Sequence, residues 1–127
     1  MDNGLGLKWI KMAAIYLVAG VLMGIHMGKS HDFVLTPVHA HINLLGWATM
    51  ALMGVLHHLF AKQLVNKLAH IQFWLHQVGT PVMLVFLALV LLGNPALEPV
   101  VGIASLVVGV SVLLFLYNVL RNLRTST

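Results

Sequence analysis

The sequence predicts an all-α integral membrane protein, a single domain over residues 1–127 built as a four-helix bundle. Three observations predict it. Hydrophobic residues make up 60% of the chain. Asp, Glu, Lys and Arg make up 8%, where a soluble domain carries roughly a quarter, so there is too little charge to coat a water-facing surface. The apolar residues fall into four runs, each near the ~20 residues that a helix needs to cross the hydrocarbon core.

The runs cover about residues 9–28, 37–60, 71–93 and 97–120. The first is followed by no small-residue cleavage site and by three further runs, so it reads as a span and not as a cleaved leader. Lys29, Ser30, His31 and Asp32 end it. Thr36 then reads as an N-cap with Pro37 in the first turn of the second helix. Lys62 and Lys67 bracket the break before the third run, and Gly93, Asn94 and Pro95 punctuate the break before the fourth. With four crossings, Lys8, Lys11, Lys62, Lys67, Arg121 and Arg124 all fall on one side. Basic residues stay on the cytoplasmic side, so both termini are expected there, in the inner membrane of a prokaryote.

Lipid offers no hydrophobic drive for helices to associate, and small residues let them pack closely instead. Gly20, Gly24 and Gly28 recur every fourth residue on the first run, as do Ser105 and Gly109 on the fourth, and both stripes read as packing faces. The net charge of +4 does not indicate nucleic acid, because the basic residues sit in short linkers with no folded basic face. The absence of cysteine excludes disulfides, iron–sulfur clusters and cysteine-ligated zinc.

Histidine is the unusual residue, at eight copies, and ionisable groups inside a span are costly and functional by default. His39 and His41 open the second span. Two residues apart on a helix they point about 200° apart, so they serve two sites more easily than one. Gly46 and Ala48 lie seven residues below them on the same faces, which offers clearance to a flat macrocycle bound edge-on. His26 lies at matching depth on the first span, between Met23 and Met27, whose thioethers suit Cu(I). Gln72, His76 and Thr80, spaced by four, form a polar stripe on the third span. That stripe reads as a metal site, a proton path or interhelical hydrogen bonding. His57 and His58 close the inner end of the second span, and His31 and His70 read as solvated or interfacial.

The segment His39-Ala40-His41, followed by Asn43 and Gly46-Trp47, resembles the haem-ligating helices of the haem–copper oxidase catalytic subunit. The resemblance covers the second run. It implies that the four helices equal one of that family's three four-helix arcs, so that a homotrimer rebuilds the twelve-helix ring. Each groove between subunits would then receive His39 from one copy and His41 from the next as axial ligands of haem b, with Asn43, Gly46 and Trp47 at the cofactor. The three copper-binding histidines and the tyrosine that the family uses to reduce oxygen have no counterparts in matching context, so a complete oxygen reductase is not expected. The resemblance implies electron transfer, binding of a diatomic gas such as O2 or NO, or haem handling. Three other readings stay open. One is a haem-free copper or zinc protein using His26, His39, His41 or His76. Another is a two-haem electron carrier with an inner haem on His57 or His58 and His76. The last is an accessory subunit without cofactor.

Overall fold

The computed structural model describes residues 4–125. These residues form helices and turns, with no strand among them. Four helices are long and apolar enough to cross a membrane: α1 (Gly4–Ser30), α2 (Thr36–Leu59), α3 (Lys67–Leu91) and α4 (Glu98–Asn122). The distribution of side chains is the reverse of a soluble protein's. Leu22, Leu52, Trp74, Ile103, Leu106 and Leu120 are exposed on the outside. His57, Gln72, His76, Thr80, Ser111 and Asn118 are buried within. Such an arrangement is stable where the surrounding solvent is hydrocarbon, because polar groups then find partners only inside the bundle.

The helices exceed the apolar runs at several ends, for local reasons. α1 starts at Gly4 because Leu5 and Trp9 are fully buried and hold the first turns against the bundle. At the start of α2 the expected cap is corrected. Leu35 occupies the capping position without a side-chain bond, and the Thr36 hydroxyl donates backwards to the Phe33 carbonyl at 2.7 Å. Pro37 does stand in the first turn. α3 has a cap that hydropathy did not reveal, the Asn66 side chain, which accepts from the Ala69 N–H at 3.0 Å. Beyond the end of α3 at Leu91, Gly93 has a φ of +112°, a conformation that favours glycine. There the Asn94 N–H closes back onto the Leu89 carbonyl.

α1 packs most closely on α2 and α3 on α4. Glycine makes the first pairing. A Cβ on Gly6 would come within 2.7 Å of the His58 backbone nitrogen, and one on Gly54 within 2.9 Å of the Gly6 carbonyl oxygen. Further along the same crossing, Gly20 faces Asn43 and Gly24 faces His39. The stripe expectation needs correcting at two places: nothing stands within 4 Å of where a Cβ on Gly28 or Gly109 would be. Ser105 bonds only its own helix, donating to the Val101 carbonyl at 2.7 Å. Gly79 is the glycine that lets α3 approach α4, at Val107 and Val108.

The start of α1 lies beside the end of α2, and the end of α4 lies beside the α2–α3 linker. There Asn118 donates to the Leu64 carbonyl at 2.9 Å, Asn66 donates to Asn118 at 2.8 Å, and the Arg124 N–H reaches Gln63 at 2.7 Å. The start of α1 and the end of α4 therefore sit at the same end of the bundle. Two apolar clusters fill the interior. One, around Leu5, Trp9, Met50, Met53 and Phe73, lies towards the chain ends. The other, Val38, Ile42, Met83, Leu84 and Ala104, closes the opposite end.

Candidate functional site

α2 is not a uniform α-helix. Residues Ile42–Ala48 form a π-helical segment, a rare geometry that is frequent at functional sites. The Thr49 N–H bonds the Leu44 carbonyl, five residues back, and α-helix resumes there. The Leu45 carbonyl thereby loses Thr49, its α-helical donor. His76 of α3 takes that place, with Nε2–H donating to the Leu45 oxygen at 3.1 Å. Since a carbonyl can only accept, the His76 proton is on Nε2 and Nδ1 keeps its lone pair.

His41 lies just before the π segment. Its Nδ1 is 2.6 Å from the Pro37 carbonyl, four residues back on its own helix. That contact puts the proton on Nδ1 and leaves the Nε2 lone pair free. A hydrogen bond of this kind, from the second ring nitrogen to a carbonyl, is what orients metal-ligating histidines and fixes their tautomer. His41 lines a groove of about 600 Å³ with Leu45, Met83, Ser105, Gly109 and Leu113, within the ~300–1,000 Å³ typical of ligand sites. The small residues Ser105 and Gly109 keep its α4 wall low. The clearance that the spacing assigned to Gly46 is thus found across the groove, at Gly109. Gly46 itself is filled from the other side, because the Tyr16 ring stands where its Cβ would be.

His39 points elsewhere, as the two-residue offset requires. Its ring lies over Gly24, with Cε1 3.1 Å from where a Cβ there would stand. Asn43 Nδ2 is 3.3 Å from its Nε2, and its Nδ1 is buried without a hydrogen-bond partner. Asn43 in turn packs on Gly20. The two residues are one antiparallel packing register with α1, and His39 is not among the residues lining the His41 groove. Trp47 is exposed on the outer surface. His26 lines a different groove, with Met23, Met27, Asp32 and Leu92. The structure therefore does not bring His26, His39, His41 and His76 together, and among the described residues no group of three or more His, Asp or Glu side chains could hold one metal ion.

A second set of polar groups, which spacing revealed only in part, lies in the core. His57 repeats the His41 geometry, with Nδ1 2.7 Å from the Met53 carbonyl four residues back, but its Nε2 is buried with no partner. Trp9 sits between the two inner imidazoles, its ring 6.4 Å from His57 and 5.2 Å from His76. Gln72 donates to Met53 Sδ at 3.1 Å and Gln77 to Met50 Sδ at 3.5 Å. Six buried atoms here have no protein partner: Trp9 Nε1, His57 Nε2, Gln72 Oε1, His76 Nδ1, Gln77 Oε1 and Thr80 Oγ1. Each unpaired buried group costs about 1–3 kcal/mol. Left unmet, such a set would rival the roughly 5–15 kcal/mol net stability of a whole domain.

Of these imidazoles, His41 has its Nδ1 bound to a carbonyl of its own helix and lines an apolar groove with small residues on one wall, a setting that fits an axial position of haem or a site on a single metal. Met83 in the same groove adds a thioether. No family model, no curated protein and no solved structure matches this chain.

Proposed function

We propose that this chain is a membrane-bound b-type haem protein in which His41 supplies an axial ligand. One observation carries the reading: the Pro37 carbonyl binds Nδ1 of an imidazole that lines a groove of about 600 Å³ beside Gly109, which leaves Nε2 as the nitrogen able to ligate. The four-helix topology and the His39-Ala40-His41 segment support kinship with the haem–copper oxidase catalytic subunit. On that reading the open side of the groove is where a second copy docks, in a homotrimer of four-helix bundles. Lys8, Lys11, Lys62, Lys67, Arg121 and Arg124 favour a cytoplasmic position for both termini, in the inner membrane of a prokaryote. Bound haem would supply a one-electron couple or a place for a diatomic gas. The role is then electron transfer, gas binding or haem handling, while the chain holds, orients and shields the group. His39 acts in this scheme through helix packing, beside Asn43 and Gly24.

Met83 favours a second reading, Cu(I) held by His41 and a thioether in the same groove. Purified protein, expressed with haem supply, separates the two. The haem reading expects a Soret band and a pyridine haemochrome of b type, at no more than one haem per chain, lost in His41→Ala and retained in His39→Ala. Copper without a Soret band, dependent on His41 and Met83, establishes the second reading. Neither metal nor haem defeats both.

A further inference from the structure

The six unpartnered core atoms are not scattered. They follow the bundle axis. His57 and Gln72 meet at Met53, Gln77 reaches Met50, and His76 reaches the Leu45 carbonyl. Met53 and Leu45 are eight residues apart on α2, about 12 Å along the axis. On α3, Gln72, His76 and Thr80 step outward by one turn each. Pro81 lacks an N–H, so the Gln77 carbonyl adds a further acceptor without its helical donor. The depth difference argues against one metal ion held by both imidazoles, because their anchoring carbonyls lie two turns apart. Beyond Thr80 the core turns apolar, with Met83 and Leu84 packed on Val38, Ile42 and Ala104. At the other end, His57 neighbours exposed His58 and lies close to where α1 begins and α2 ends.

We infer that this column is a water-filled proton inlet, entered at His57 from the end of the bundle where α1 begins and α4 ends, and ending blind at Thr80. Buried waters bind where several otherwise unpaired polar atoms converge, at about three hydrogen bonds each. This column offers an indole N–H, two fixed imidazole lone pairs, two amide oxygens and a hydroxyl. A proton arriving from bulk water through the water chain adds to the His57 Nε2 lone pair and leaves the Nδ1–H on the Met53 carbonyl untouched. It passes on through water to His76 Nδ1 and returns by the same route, with no bond broken other than O–H and N–H. Among the described residues Asp and Glu occur only at Asp32 and Glu98, outside the column. The titratable groups nearest this core are Tyr16 on α1, packed against the Trp9 cluster, and His70 at the start of α3. α4 contributes Ser111, Phe115 and Asn118, and Lys8 and Lys11 on α1 are exposed. The inlet passes the Leu45 carbonyl released by the π segment, one turn along α2 from His41. It requires no haem, so its test is independent of the proposed cofactor.

The test is solid-state NMR of the full chain in lipid bilayers with 15N-labelled histidine and tryptophan. Water-edited spectra should show both ring systems of His57 and His76 in contact with water, with the neutral proton on Nδ1 of His57 and on Nε2 of His76. On lowering the pH from roughly 8 to roughly 4, at least one of the two should become doubly protonated. The Trp9 indole N–H should exchange with deuterium roughly 100-fold faster than the backbone N–H of the same residue. Two dry rings overturn the inlet, as do wet rings that stay neutral across that range or an indole as protected as its backbone.

Discussion

His41 and His57 stand on the same helix and make the same local bond, Nδ1–H to the carbonyl four residues back, at 2.6 and 2.7 Å. They differ in what surrounds the ring. At His41 it is an open groove with glycine on the far wall. At His57 it is a buried core shared with Trp9, Gln72 and Phe115. The first arrangement suits a large apolar ligand that approaches from outside. The second suits only a small polar guest such as the water of the inferred inlet. The difference teaches that a histidine's own helix prepares it as a ligand or a proton acceptor, and that the neighbouring helices choose between these roles.

The sharpest way to break the comparison is to remove the outer imidazole. On the haem reading proposed above, His41→Ala should weaken haem retention by more than ~100-fold, about 2.7 kcal/mol, read as loss of the Soret band, whereas His57→Ala should leave the band in place. The next effect in size falls on stability. His76→Leu strands the Leu45 carbonyl inside the π segment and should destabilise the protein by about 1–3 kcal/mol, measured by thermal unfolding in detergent, with the haem band retained by the folded fraction. Filling the groove should do the opposite. Gly109→Leu has open space at its Cβ, so it should weaken haem binding ~10-fold, about 1.4 kcal/mol, with little change in melting. Smallest of all, Gly28→Ala meets nothing within 4 Å and should shift stability by less than about 0.5 kcal/mol. A large loss there would show that α1 packs against another surface in the membrane.

Neighbouring residues show how far the chain could be read in advance. His57 and His58 look alike by hydropathy, yet one is fully buried and the other exposed. A step of about 100° around the helix separates them, and only the placement of α1 and α4 decides which step faces inward. Gly46 and Gly109 show the same for small residues. Their spacing made the first a candidate clearance and the second a packing position, and Tyr16 and the open groove reverse the two. The Gln72-His76-Thr80 stripe was legible because a period of four is a property of the helix itself.

Four long apolar runs, broken by charged, glycine and proline residues, determined the number of helices and their boundaries to within a few residues. Transfer into hydrocarbon and backbone geometry act residue by residue, so they can be read along a line. The π segment, the Leu45–His76 bond, the groove before His41 and the polar column at Trp9 were decided only by the tertiary structure. Each depends on a carbonyl or a lone pair finding, or failing to find, a partner on another helix, and that pairing exists only once the helices have packed.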